Sequence, residues 1–312
     1  MRGQGEIVGE LPGGTSLEDV LGPAEHRYFG GGYRQVVHEV AERDGGLWSG
    51  RVTYPPLWSL GPGGAARHPH LSSVDALVLP LMALAQSRRH WASAARAEAR
   101  CWVRHVKIRA GSEPWEQLAN VPITLDGSTD SVEDRRLEWC SSRVGNMRVD
   151  TELVVAAGRR IAQGESICDL DYRDHVTSSV VDLPEGPARE LRSRHELATG
   201  GKVRSCAQAS AVDFLVTMGQ LAQALVYRAH ATDRGGVENL WMRRMAITVR
   251  GSRPVTPGRF DAVTTLGGER TVTIGDRTVR TMRVRSVASV GVEGVADLAY
   301  FTEGSRRDEV LT

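Results

Sequence analysis

Apolar positions along this chain gather into two long runs that open alike. Ser72-Ser73-Val74-Asp75-Ala76-Leu77-Val78 returns 138 residues later as Ser210-Ala211-Val212-Asp213-Phe214-Leu215-Val216. Both runs keep helical spacing and predict helices over residues 72–90 and 210–230; a repeated element of this kind indicates two related halves. Around the helices the pattern shortens to period two, as in Arg34 to Val40, Cys101 to Arg109 and Asn146 to Val155. After the second helix come further strand-like stretches, Trp241 to Val249, Arg259 to Leu266, Thr271 to Ile274, Val279 to Val287 and Gly291 to Tyr300, with turns expected at Gly267-Gly268 and Gly275-Asp276. One long helix followed by several strands predicts an α+β fold, an antiparallel sheet curving around each central helix, rather than alternating helices and parallel strands.

Residues 1–20 read as a flexible leader with one capped turn at Ser16 to Leu21, and residues 303–312 as a flexible tail. Tyr28-Phe29-Gly30-Gly31-Gly32-Tyr33 lacks the context of a nucleotide-binding loop, so it is expected to be an aromatic-anchored turn in which Gly31 and Gly32 serve backbone geometry. Residues 165–205 show little apolar periodicity, and the join between the halves is placed at Pro184 to Pro187. The expected domains are therefore 21–183 and 188–302.

Composition narrows the function. Thirty-nine basic residues against thirty-eight acidic ones leave a formal charge of +1, which offers nucleic acid no basic surface. No apolar run is long enough for a membrane span and residues 2–12 have no secretory core, so a cytoplasmic protein is expected. Cys101, Cys140, Cys168 and Cys206 form no CxxC pair and have no ligand-spaced histidine, which points to ordinary thiols and no metal. Signatures of serine hydrolases, kinases and dinucleotide enzymes are missing from the sequence.

Candidate chemistry centres on the second helix. Asp213 and Gln220 lie seven positions apart, about two turns, on one face of an apolar helix. Asp213 reads either as a helix-start carboxylate next to a Ser210 cap, or as an active carboxylate whose helix amides polarise an acyl oxygen. In the first half His70 and Asp75 form a candidate pair, but the position matching Gln220 is Met82. His68, His105, His175, His195 and His230 are isolated in sequence and read as structural or exposed. Arg204, Arg243, Arg244 and Gln223 are the candidate substrate-binding residues.

The segments Leu21 to Tyr33, His70 to Ala76, Trp102 to His105 and Asp213 to Gln223 resemble the AvrD family of bacterial proteins implicated in making syringolide-type acylated sugar lactones. The resemblance covers about residues 17–302 and extends more distantly to AfsA-type butyrolactone synthases, which have hotdog-like halves. It implies a double hotdog and an acyltransferase or condensing enzyme, without cofactor, that joins a β-ketoacyl thioester on acyl carrier protein or coenzyme A to a ketose such as xylulose. Asp213 and Gln220 would then be catalytic. No histidine precedes Asp213 at the spacing of a fatty-acid dehydratase, His195 being eighteen residues away, which weighs against simple dehydration. A hotdog thioesterase or dehydratase and a non-catalytic acyl-binding scaffold are the alternatives. Two hotdog-like halves in one chain are compatible with a monomer as well as a homodimer.

Overall fold

The computed structural model describes residues 14–61, 64–92, 99–132, 135–157, 167–184, 186–199, 208–232, 240–251, 255–256, 258–274 and 277–302. In the first half, strands β2 (Val37–Glu42) and β3 (Trp48–Thr53) precede helix α3 (Ser73–Ala92), which is followed by β4 (Ala99–Arg109), β5 (Val121–Val132), β6 (Arg135–Val144) and β7 (Met147–Ala157). The same order returns in the second half: β8 (His175–Asp182), β9 (Glu190–Thr199), helix α4 (Ala211–Ala229), then β10 (Trp241–Val249), β11 (Gly258–Ile274), β12 (Arg277–Ala288) and β13 (Val292–Phe301). Short pieces lead in, namely β1 (Thr15–Ser16), α1 (Leu17–Leu21) and the single turn α2 (Tyr33–Gln35).

All strands join one sheet in the order β1-β8-β9-β11-β12-β13-β10-β4-β7-β6-β5-β3-β2. Counted outward from the β10·β4 pair, six strands on each side correspond in order, with β1 added beyond β8, so that pair is the seam between the halves. Its antiparallel register sets Met245 opposite Ile108 and Ile247 opposite Val106. All four side chains are buried. Strand alternation explains the rest: on β12, Met282, Val284, Ser286 and Ala288 are buried whereas Arg283, Arg285 and Val287 are exposed. Both helices lie on the buried face. Helix α4 is covered on nearly every side, from Ala211 to Tyr227, which is why its sequence is apolar all round. An antiparallel sheet wrapped on a long helix is the hotdog arrangement.

Several expectations need correction. Pro184 to Pro187 does not join the halves. It lies between β8 and β9, which pair antiparallel, so the second repeat starts before residue 183, at β8. Those strands give a weak apolar signal because polar side chains interrupt it, inward at Ser179 and Ser193 and outward at Glu190, Arg192 and Arg194, while Val176 and Val180 face outward. The same holds for β5 and β6. Gly267-Gly268 is no turn but a register shift inside the continuous β11, with Gly268 at φ +62. The expected leader is structured from Thr15: Ser16 caps α1 through the Asp19 amide, and Leu17 and Leu21 are buried. The proposed tail, 303–312, lies outside the described residues.

The aromatic-anchored turn forms as a π-helical turn over Tyr28 to Gly32. Gly32 has an ordinary φ of −59, so its lack of a side chain serves closeness rather than conformation. A Cβ there would sit 2.2 Å from the Trp58 carbonyl oxygen, whereas one on Gly31 would meet only the Ala24 oxygen at 3.8 Å. Gly32→Ala is therefore expected to lower stability by about 1–3 kcal/mol, because two backbones must separate. Gly31→Ala should change it little. Equal melting temperatures for the two variants would refute this account.

Candidate functional site

Each long helix starts with the same hydrogen-bonded box. At α3, the Asp75 amide donates to Ser72 Oγ (3.1 Å) and the Ser72 amide donates to Asp75 Oδ2 (2.7 Å). At α4, the Asp213 amide donates to Ser210 Oγ (3.1 Å) and the Ser210 amide donates to Asp213 Oδ2 (2.8 Å). Thus the repeated Ser-x-x-Asp caps both helices reciprocally. Capping does not exhaust either carboxylate.

Both carboxylates also hold a histidine from the first strand of their own half. His38 Nε2 lies 2.7 Å from Asp75 Oδ1, and His175 Nδ1 lies 2.6 Å from Asp213 Oδ2. Arg173 Nη2 donates to His38 Nδ1 at 3.1 Å, so the His38 proton resides on Nε2 and is given to Asp75. Burial opposes protonation of His175, but the hydrogen bond and charge of Asp213, with Asp171 and Asp174, outweigh it and raise its pKa.

The two pairs differ in how completely the carboxylate is used. Asp75 is fully buried and both its oxygens are engaged, Oδ1 by His38 and Oδ2 by the Ser72 amide and the Tyr54 hydroxyl. Tyr28 adds a further hydroxyl, 2.5 Å from Ser72 Oγ. On Asp213, Oδ2 takes His175, the Ser210 amide and the Ser210 hydroxyl, while Oδ1 is buried with no partner among the described residues. An unpaired buried carboxylate oxygen is expensive, and such a group needs a functional or solvent explanation.

The halves exchange arginines around these pairs. Arg34, four residues before His38, donates to the His175 carbonyl oxygen at 2.9 Å. Arg173, two residues before His175, reaches back to His38 and to the Val36 carbonyl oxygen at 2.7 Å. Between them Tyr33 and Tyr172 stack, centroids 6.0 Å apart and planes 18° from parallel. Asp169 makes a third tie, accepting from the Val103 amide of β4 (2.8 Å) and the Ala211 amide of α4 (2.6 Å). Its burial pushes its pKa up to about 6.

Not every expected residue meets at this place. The anticipated His70–Asp75 pair does not form. Instead the His70 carbonyl accepts from the Tyr54 hydroxyl (2.9 Å), and the His70 ring lies 5.6 Å from that of Trp241. Gln220 faces Arg27, whose Nη1 donates to its Oε1 at 2.7 Å. Gln223 is half-buried, Arg243 and Arg244 are exposed, and Arg204 falls outside the described residues. The amides of Ala211 and Asp213 already serve Asp169 and Ser210, so they are not available to an acyl oxygen as expected. His195 is a core residue, held between the hydroxyls of Ser179 (2.7 Å) and Ser193 (2.8 Å), and burial lowers its pKa to about 4.

His38, His175, Arg27, Arg34, Tyr54, Arg173 and Asp169 were not singled out as site residues. The repeat itself held the signal. Histidine precedes aspartate by 37 residues in one half and 38 in the other, and Tyr33-Arg34 recurs as Tyr172-Arg173.

Comparison with protein families matches residues 14–180 and 189–299 to the family described as Pseudomonas avirulence D protein (AvrD). The chain belongs to the AvrD family. A search of curated protein sequences finds no match. Among solved structures, the AvrD-family chain is similar to the 12:0-ACP thioesterase from Umbellularia californica, with 9% identity and TM-score 0.43, covering 85% of this chain and 97% of that one. A hot dog fold protein of unknown function from Alicyclobacillus acidocaldarius shares 11% identity, with TM-score 0.40 and coverage of 85% and 96%. The acyl-CoA thioesterase II TesB2 from Mycobacterium marinum shares 8%, with TM-score 0.39 and coverage of 86% and 97%. Among the described residues, no helix of this AvrD-family member is long and apolar enough to cross a membrane.

The electrostatics of His175 can be measured directly. The folded chain holds this proton more tightly than the unfolded chain, so the pair's stabilisation is complete below about pH 6.5 and is lost as pH rises through the folded value. In Asp213→Asn the main raising influence disappears while burial remains. Histidine NMR titration should place the His175 midpoint at lower pH in that variant, and an unmoved midpoint would refute the pairing.

Proposed function

We propose that this protein is an acyltransferase and condensing enzyme, built as a double hotdog, that joins a β-ketoacyl thioester to a ketose such as xylulose. The observation that carries the reading is the asymmetry of the two carboxylates: Asp75 is saturated, whereas Asp213 keeps Oδ1 in the interior without a partner among the described residues. A buried carboxylate oxygen without a donor is a proton acceptor awaiting a hydroxyl. Family membership and the resemblance to proteins making acylated sugar lactones support the choice of substrates.

In this mechanism Asp213 Oδ1 takes the proton of a ketose hydroxyl as its oxygen attacks the thioester carbonyl. The carbon–sulfur bond breaks, and the proton passes from Asp213 to the departing thiolate. The ester's acidic methylene then loses a proton to the same carboxylate. The resulting enolate attacks the ketose carbonyl, forming the carbon–carbon bond, and the new alkoxide recovers the proton. His175 and Ser210 hold Oδ2 throughout, which fixes the direction in which Oδ1 points. With the Ala211 and Asp213 amides occupied, those two donors take no part in stabilising the oxyanion, and Gln220, two turns along the same helix, orients the substrate. His70, Arg243, Arg244 and Arg204 have no step in this scheme. The thioester carrier is acyl carrier protein or coenzyme A.

The test is incubation of the protein with a β-ketooctanoyl thioester, with and without xylulose, following free thiol and product mass. The expected outcome is a ketose-dependent acyl-sugar or lactone mass, reduced about 10²–10⁴-fold in Asp213→Asn. Thiol release that ignores xylulose would reassign the chain as a thioesterase, and ligand binding without turnover would make it a scaffold.

The first-half pair makes a contrasting prediction. Asp75→Asn places an amide N–H against donors and should reduce stability by about 1–3 kcal/mol, read by urea denaturation. Activity per folded molecule should survive at moderate urea-free temperature. Loss of turnover in a folded Asp75→Asn protein would move the chemistry to the first half.

A further inference from the structure

Arg27 is an interior cation with no counter-ion in ion-pair contact among the described residues. The residue is 4% exposed. Its Nε donates to the Pro23 carbonyl oxygen at 3.4 Å and its Nη1 to Gln220 Oε1 at 2.7 Å, both neutral acceptors. Nη2 has no acceptor among the described residues. Glu18 and Glu25 act on it only through space, and burial, the larger influence, lowers its pKa.

Arg34 and Arg173 likewise donate to neutral groups, but from less buried positions, and several other arginines meet a carboxylate. Arg104 meets Glu152, Arg189 meets Glu269, Arg194 meets Asp261, and Arg283 meets Asp297, all from more exposed positions. Buried charges are ordinarily paired, because desolvation without a partner costs several kcal/mol. A guanidinium with spare N–H groups in one plane is also the side chain best shaped to take two oxygens of an anion.

Position gives the vacancy a use. Gln220 lies seven residues beyond Asp213 on α4, a rise of about 10 Å along the same face. The segment that carries Arg27 runs back along this helix, since a Cβ on Gly219 would touch the Phe29 ring at 2.8 Å, and it ends with Arg34 on His175. An anion at Arg27 and a hydroxyl at Asp213 would therefore lie along one line of the helix.

We propose that Arg27, steered by Gln220, is the binding site for a phosphate group carried by a substrate of this enzyme. The identity of that substrate rests on the acyl-transfer reading, but the binding itself does not. Two sources share the chemistry, a phosphorylated ketose and the phosphate of the carrier's pantetheine arm. The two-turn spacing fits the compact sugar phosphate, whose hydroxyl and phosphate are separated by a few carbons.

Calorimetry with the full chain, without turnover, tests this with inorganic phosphate, xylulose, xylulose 5-phosphate and coenzyme A. The sugar phosphate should bind at least about tenfold more tightly than xylulose, a difference of about 1.4 kcal/mol, and inorganic phosphate should compete. Arg27→Lys should weaken that preference. Gln220→Glu provides Arg27 with an internal carboxylate, so it should abolish the preference while the melting temperature holds or rises, which separates lost binding from lost folding. Competition between phosphate and coenzyme A alone would keep the site and assign its anion to the carrier. Equal affinity for both sugars with no phosphate competition, or a preference that persists in Gln220→Glu, would overturn the proposal. Phosphate preference in a protein that turns nothing over would sink only the acyl-transfer reading, and turnover of free xylulose without preference would sink only the site.

Discussion

A carboxylate at the first turn of a buried helix must be surrounded by donors, and much of this structure follows from satisfying that demand twice. The helix supplies part of the answer through the Ser-x-x-Asp box. The remainder comes from a histidine on a strand some 37 or 38 residues earlier, so the strand is tied to the helix start. In the first half two tyrosines complete the shell around Ser72 and Asp75. In the second half the shell stays open at Oδ1 of Asp213. One side of a duplicated design is closed and the other is left open.

The seam between β4 and β10 places both units on a single continuous sheet, and the helices share its covered face. Asp169 reinforces the seam from inside. Its two oxygens join the backbone of β4 to the start of α4, so the helix carrying Asp213 is positioned by the opposite half as well as by its own strands. A site built in this way inherits the rigidity of a core. The Ala211 and Asp213 amides at the helix start are spent on this anchoring and on the cap.

The helices, their relatedness and the antiparallel character of the sheet were legible because apolar periodicity and a repeated heptapeptide report burial directly. Strands β5, β6, β8 and β9 were not, since polar residues interrupt their apolar pattern and, on β6 and β8, apolar Trp139, Val176 and Val180 face outward. The Gly267-Gly268 pair illustrates a different limit, for a bulge and a turn use the same residue type. At the site, Asp213 and Asp75 could be found from the helices that bear them. Their histidines could not be found by proximity in the chain, because strand-to-helix pairing is a property of the folded sheet. Only alignment of the two halves against one another, with a two-residue gap between arginine and histidine, brings His38 over His175 and Arg34 over Arg173. The His70–Asp75 expectation failed for the complementary reason: nearness in sequence delivered the His70 backbone to Tyr54 while its ring turned to Trp241.

The crossed arginines have a meaning for descent. Arg34 seats His175 and Arg173 seats His38, with the stacked tyrosines at the crossing. Neither half is thus a full set of parts. A gene severed at the junction would encode two fragments, each owning a helix-borne acid and its histidine and each missing the guanidinium that braces them, so the fragments would have to find one another again to rebuild either shell. Tandem fusion frees such partners from the symmetry of a homodimer and lets one copy drift, but the loan of an arginine in each direction makes the arrangement hard to undo.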